Sequence, residues 1–306
     1  MKMPIPLDFG KRSCRLAVPW LMALLLLADG CRTDTPPSQL PPLSTVPGSP
    51  RLPGKFEWAD LVTDDVPAAQ KFYSQLFGWT FYKVGDYVIA CNDDRPLAGM
   101  FQRPRPTDQT AQPRWFGYIS VSSVERAKKA VIQAGGRVLQ EPKQMPKRGE
   151  QAVFADPEGA VFGVVKSSSG DMPDFLADSG DWIWIQLLSR DSRQAAEFYR
   201  LIGGYTIVEN LETNRQVDYV LTSEGYARAT VRAIQSADTK VQPSWLPFVR
   251  VKNVAETAAL ATQLGGRVLI QPSPKLLDGK VAVIADPTGA AVGALQWHEG
   301  LLKGGR

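Results

Sequence analysis

The chain has 306 residues, 44% hydrophobic and 22% charged, too apolar a balance for a disordered protein. Its length suits about two domains, each long enough to bury a core. Net charge is +4, and +2 once the first 30 residues are set aside (Lys2, Lys11, Arg12 and Arg15 against Asp8 and Asp29), which argues against a nucleic-acid partner. A single histidine, His298, stands near the C-terminus, so the body holds neither a His-rich metal site nor a His-based triad.

The N-terminus reads as an address. A basic stretch through Arg15 leads into Leu16–Ala28, thirteen residues and shorter than the roughly 20 that span a bilayer. That length suits the hydrophobic region of a secretory signal. It closes at Ala28-Asp29-Gly30-Cys31, which resembles a bacterial lipobox. The resemblance implies a signal peptide over residues 1–30, cleavage before Cys31 and a lipid on its thiol. The expected location is the bacterial cell envelope, lipid-anchored on the periplasmic or extracellular side, with plain secretion as the alternative. Residues 31–53, dense in Pro, Ser and Gly, read as an extended tether. Of the three cysteines, Cys91 alone remains in the body, so no internal disulfide is expected. It ends the apolar run Tyr87–Cys91 and reads as a buried, inert thiol.

In the first module, residues 54–166, alternation marks a strand over Phe56–Val62. Asp65 then caps a helix whose apolar residues Ala69, Phe72, Tyr73, Leu76 and Phe77 follow helical spacing, and Gly78 ends it. Strands are expected near 79–83, 86–91, 97–102 and 115–121. Ser122 and Glu125 have capping-box spacing before a second helix that Gly135 and Gly136 stop. Asp156-Pro157-Glu158-Gly159 is a turn between the last two strands. Residues 167–179 form a linker, and residues 180–298 repeat the plan, with helices near 192–202 and 254–264.

The repetition is explicit. Asp65–Tyr73 is echoed by Asp191–Tyr199, Gly135-Gly136-Arg137-Val138-Leu139 by Gly265-Gly266-Arg267-Val268-Leu269, and Ala155-Asp156-Pro157 by Ala285-Asp286-Pro287. Such long repeats mean two homologous modules.

Taken with Phe72-Tyr73-Ser74-Gln75-Leu76-Phe77-Gly78-Trp79 and the two Asp-Pro-x-Gly turns, these motifs make the chain resemble the vicinal oxygen chelate superfamily. That superfamily contains glyoxalase I, bleomycin-resistance proteins and extradiol dioxygenases. The resemblance spans roughly residues 54–298 and implies an α+β fold. Two tandem modules of paired βαβββ units would form concave half-barrels with helices outside.

It also implies where a metal would sit. Metal-dependent members carry a His on the first strand, a second His opening the fifth strand, and a Glu after the Asp-Pro-x-Gly turn. Here those positions hold Trp58 and Trp184, Phe116 and Leu246, and Gly163 and Gly293; a carboxylate on the fourth strand would fall near Gly99. None offers a side-chain lone pair to a divalent cation, so no metal and no cofactor is expected. Asp93, Asp94 and Glu150 read as loop residues.

Alternation assigns the interior instead. With Trp58 facing the concavity, Phe56, Asp60 and Val62 follow, and Ala59 and Leu61 face the helices. In the second copy Trp182, Trp184, Gln186 and Leu188 face in, and Ile183, Ile185 and Leu187 face out. The fifth strands add Phe116, Tyr118 and Ser120 to one cavity, and Leu246, Phe248 and Arg250 to the other. Candidate ligand-binding residues are therefore Trp58, Asp60, Phe116 and Tyr118, and Trp184, Gln186, Phe248 and Arg250.

Each admits a plainer reading. The aromatics either fill the half-barrels or touch a ligand. Asp60 is either a satisfied structural carboxylate or a base with raised pKa. Arg250 either clamps an anion or is a surface residue, and Lys143–Arg148 reads as a solvated loop at the cavity mouth. The expected function is a metal-free module binding a small, partly aromatic molecule at the membrane surface; the alternative is a glyoxalase- or dioxygenase-type enzyme with a rewired site.

Overall fold

The computed structural model describes residues 39–104, 112–211, 217–235 and 241–297; the signal segment, Cys31, the first part of the tether and His298 lie outside them. The first module runs β1 (Phe56–Thr63), α1 (Val66–Phe77), β2 (Thr80–Val84), β3 (Tyr87–Asn92) and β4 (Arg95–Gln102). It continues with β5 (Arg114–Ser120), α2 (Val124–Gln133), β6 (Arg137–Met145), β7 (Gly149–Ala155) and β8 (Val161–Ser167). The second begins with β9 (Trp182–Ser189), α3 (Ser192–Gly203), β10 (Thr206–Leu211), β11 (Val217–Ser223) and β12 (Tyr226–Ala233). It ends with β13 (Ser244–Val251), α4 (Val254–Gln263), β14 (Arg267–Ile270), β15 (Val281–Ala285) and β16 (Ala291–Gln296).

Local chemistry sets these boundaries. The Asp65 carboxylate accepts from the backbone N–H of Ala68 and the Asp191 carboxylate from that of Gln194, each at 2.9 Å, satisfying a donor the first helical turn leaves free. At α2 the cap is Ser123, not the expected Ser122: its Oγ accepts from the N–H of Arg126. Burial of Val124, Ala127 and Val131 sets that register, and Ser122 accepts from the Arg126 guanidinium instead.

Each module forms one eight-stranded sheet, in the order β2-β3-β4-β1-β5-β8-β7-β6, and the second repeats it as β10-β11-β12-β9-β13-β16-β15-β14. β1 runs parallel to β4 and β5 parallel to β8, while β1 and β5 meet antiparallel at the centre. Two βαβββ units therefore sit side by side in every sheet, as the α+β expectation required.

The cores depart from expectation. On the helix side neither module buries a core of its own. One apolar cluster joins Leu61, Phe72, Tyr73 and Trp115 to Val254, Ile284 and Val292; the other joins Ile119, Phe154 and Phe162 to Leu187, Phe198 and Trp245. Polar ties cross with them. The Tyr73 hydroxyl donates to Asp286 at 3.0 Å and the Tyr199 hydroxyl to Asp156 at 3.1 Å, while Trp115 and Trp245 donate to those tyrosines. A buried hydroxyl left unpaired would cost about 1–3 kcal/mol, so each module needs the other's turn.

Strict alternation also fails at one place in each module. The β1–β5 register shifts between Phe56 and Trp58, and β9–β13 shifts where Trp182 and Trp184 face Val249 and Phe248. A residue is inserted at Glu57 and at Ile183, a bulge that turns what precedes it over. Phe56 therefore leaves the concavity to pack 4.9 Å from Trp245, and Trp182 joins Trp79 and Trp115 at 5.3 Å from each. Ile183 takes the concave side that Trp182 was expected to hold.

The tether is not free over its described part. Leu40 and Leu43 pack against the first concavity, Ser44 donates its N–H to Ser169 at 3.1 Å, and Pro41 accepts from Arg148. Among the described residues no helix is long and apolar enough to cross a membrane.

Candidate functional site

The inner end of the first half-barrel is a sealed polar cluster. Asp60 is buried, and its carboxylate accepts from the indole of Trp58 at 2.8 Å, the hydroxyl of Tyr118 at 2.9 Å and the hydroxyl of Tyr87. The Arg148 guanidinium stacks 3.9 Å from the Trp58 ring. The reading of Lys143–Arg148 as a solvated loop fails at both ends: Lys143–Met145 belong to β6, and Arg148 is only 1% exposed. Cation–π attraction and the nearby carboxylate draw it inward. Burial raises the Asp60 carboxyl above the usual carboxylate range, and the Tyr87 hydroxyl, the Arg148 charge and the other donors pull it back. With three donors on it, Asp60 is a satisfied structural group.

The same packing tests the site for a metal. A side chain at Gly99 would meet the Tyr87 hydroxyl at 1.7 Å, and one at Gly163 would meet the Tyr118 ring at 2.2 Å. In the second module a side chain at Gly293 would meet the Phe248 ring at 2.1 Å. Aromatic rings fill the space where the superfamily's carboxylate ligands would project, beside Trp58 and Phe116 or Trp184 and Leu246. Among the described residues no three His, Cys, Asp or Glu side chains converge. This donor set does not fit a divalent cation.

The opening lies at the other end of β1. A cavity of about 310 Å³ is walled by Val62, Phe101, Phe116, Leu139, Val153 and Val161, with Arg103, Arg114, Asp64, Gln112 and Gln140 among its polar members. Strands β1, β4, β5, β6, β7 and β8 all contribute to it. Of the eight residues expected to meet a ligand, Phe116 alone lines this space. Trp58, Asp60 and Tyr118 lie deeper, engaged with one another.

The second half-barrel has an apolar interior of Leu246, Phe248, Val281 and Val283, with Ile183 and Trp184 against it. The Trp184 indole donates to Thr230 at 2.6 Å, and Gln186 pairs with Thr230 and Leu246 across the sheet. The Arg250 guanidinium donates to the carbonyls of Ala177 and Trp297, fastening the linker. Cys91 is buried, and burial pushes its thiol up to about 11, consistent with an inert packing residue.

Sequence reading placed Val62 and Phe116 in this concavity and missed the cavity's other walls. One signal was within reach: the alternation that placed Tyr118 and Phe116 inside extends two residues back to Arg114, paired across from Val62. Tyr87 and Arg148 carried no such signal, because their partners come from distant strands.

Comparison with known proteins agrees with this architecture. A family model described as a glyoxalase-like domain matches residues 59–165. The Streptomyces sp. (strain C5) anthracycline biosynthesis protein DauV is 30% identical over 81% of this chain and 94% of its own. CFP32 of Mycobacterium tuberculosis, which carries a provisional glyoxylase name, is 28% identical over 79% of this chain and 95% of its own. Among solved structures, the Mn(II)-bound glyoxalase of Novosphingobium aromaticivorans matches with a TM-score of 0.56 at 14% identity, covering 80% of this chain and 82% of that one. Homoprotocatechuate 2,3-dioxygenase from B. fuscum matches with a TM-score of 0.57 at 12% identity, covering 84% and 74%. At such identities the structural likeness concerns the fold.

Proposed function

Since this chain belongs to the glyoxalase-like family of the vicinal oxygen chelate superfamily, we propose that it is a metal-free small-molecule-binding member, lipid-anchored through Cys31 at the bacterial cell envelope. The observation that carries the reading is the pairing of a filled metal position with an open cavity in the same half-barrel. Rings of Tyr87 and Tyr118 occupy the place of the ligands, while Val62, Phe101, Phe116 and Val161 leave about 310 Å³ free beyond them. That size lies at the lower end of small-molecule pockets, and flat aromatic walls suit a planar guest. The Streptomyces relative is named for the biosynthesis of anthracyclines, which are planar fused-ring molecules.

Native mass spectrometry of the full chain tests the proposal. The expected spectrum shows a co-purified organic molecule, retained after chelation and lost when Val161→Trp fills the cavity. A stoichiometric Zn, Ni, Fe or Mn ion, or ligand binding that chelation abolishes, would overturn it. The anchor is supported by the basic start, the short apolar run and Gly30-Cys31. Cys31→Ser should move the protein from the membrane to the soluble fraction, and retention of the variant on the membrane would refute lipidation.

A further inference from the structure

We propose that the ligand of the first cavity carries an oxyanion head, read by Arg114, on a planar apolar body. This rests on the cavity being the ligand site, and adds the chemical class of what enters it.

Arg114 is the fifth-strand residue two positions before Phe116, on the same face, and it lines the cavity with Phe116. Among the described residues its one hydrogen bond is from Nε to the Gln112 carbonyl at 3.1 Å, and no described carboxylate pairs with it. Removal from water lowers its pKa. A guanidinium presents five donors in a planar fork that matches a carboxylate or phosphate. Partly desolvated and without a carboxylate among the described residues, it is a group that suits a counter-charge brought by a ligand.

The rest of the wall agrees. Arg103 lies over the Phe101 ring at 5.4 Å and adds a second cation at the rim. Asp64, the one carboxylate among the described wall residues, is already partnered.

The second module supplies the contrast. At its corresponding end, Arg232 stands where the first module has Phe101, and buried Asp218 neutralises it, with Nε to Oδ2 at 2.9 Å. Ser244 stands in place of Arg114. The second half-barrel thus neutralises its arginine with a buried carboxylate, whereas the first has two arginines lining a cavity whose one described carboxylate, Asp64, is partnered. A lone Arg on an open surface would need no partner, because water would solvate it. Arg114 is half-buried against apolar walls, where water does so less well.

The test is a fluorescence titration of the full-length protein with three probes sharing one ring system: 2-naphthoate, 2-naphthyl phosphate and neutral 2-naphthamide. The wild type should bind at least one anionic probe tenfold or more tighter than the amide, and the tighter of the two identifies the head group. Arg114→Met keeps the packing volume and should erase that preference while leaving amide affinity within about twofold. Arg114→Lys should keep part of the preference, and Arg103→Met should reduce it only about twofold. Unchanged thermal unfolding of each variant excludes a folding defect. Equal affinity for all three probes, or a preference that survives Arg114→Met, overturns the anion reading alone, provided Val161→Trp still blocks binding. If none of the probes binds, or if Val161→Trp leaves binding intact, the cavity reading fails with it.

Discussion

In the first half-barrel the β1 carboxylate Asp60 gathers the Trp58 indole and the hydroxyls of Tyr87 and Tyr118. At the equivalent register positions of the second stand Gln186, Trp184, Asp218 and Phe248. The buried carboxylate has moved from the first strand of the module to its third, and its partners have changed from tyrosines to Arg232. The Trp184 indole has turned to Thr230. Both interiors pair their buried carboxylate, although Arg148 Nη2 in the first and Asp218 Oδ1 in the second are buried without a hydrogen-bond partner among the described residues. The sheet dictates which positions face inward; it leaves open which of them is charged. That freedom gives one half-barrel a buried polar cluster beneath an open cavity and the other an apolar interior with its carboxylate on a different strand.

The largest test of the comparison concerns what the modules share. Phe72 packs in a cluster built from both, and a side chain at Gly266 of the second module would touch its ring. Phe72→Ala should cost about 3–5 kcal/mol, and denaturant unfolding should remain a single transition because neither module holds its helix-side core alone. Two separate transitions would show independent domains.

Next comes the difference between the interiors. Asp60→Ala removes the acceptor of two tyrosine hydroxyls beside Arg148, leaving the Trp58 indole only the Tyr87 hydroxyl, and should cost about 2–4 kcal/mol. Gln186→Ala at the equivalent position should cost under about 1 kcal/mol. Similar losses at the two sites, measured by urea unfolding, would mean the first cluster is not the more demanding one.

The bulge offers a third contrast, Glu57 against Ile183. The Glu57 side chain is fully buried, accepts from the Met172 N–H at 2.9 Å and lies 3.4 Å from Lys55. Burial pushes its carboxyl from an ordinary 4.5 to about 7, with Lys55 opposing. The folded chain therefore holds this proton more tightly than the unfolded one, so its contribution is complete below pH 4.5 and is lost as pH rises through 7. Glu57→Gln should flatten that decline and raise stability at pH 8 by about 1–3 kcal/mol, seen in unfolding curves at pH 5 and pH 8. An unchanged pH dependence would show that Glu57 is not the titrating group.

Much of this architecture was legible in the residues themselves. Asp65 and Asp191 as caps, the apolar stripes behind them and the Asp-Pro turns carry local chemistry that needs no partner from elsewhere. The interior was legible only where alternation holds. It fails at Glu57 and Ile183 because a bulge leaves no mark in hydrophobic periodicity, and Phe56 and Trp182 went with it. Arg148 looked solvated since a charge run is read by composition, whereas its burial depends on a ring ninety residues away. Leu40–Ser44 looked like tether for the same reason. The sharing of helix-side cores was invisible because a repeat reveals two like modules and not which faces they present to each other.

The smallest effect checks the helix starts. Ser123 and Asn253 cap α2 and α4 at equivalent positions, so alanine at either should cost about 1 kcal/mol by thermal unfolding. Ser122→Ala should cost under about 0.5 kcal/mol, and a reversal of that order would restore Ser122 as the cap.

The central claim is that a ligand enters the open end of the first half-barrel and not the second. Methyl-resolved NMR of the full chain, titrated with 2-naphthoate, addresses it directly. Shifts should appear at Val62, Leu139, Val153 and Val161 and follow a single saturation curve. Shifts concentrated at Leu246, Val281, Val283 and Leu295, with the first set unmoved, would contradict the account.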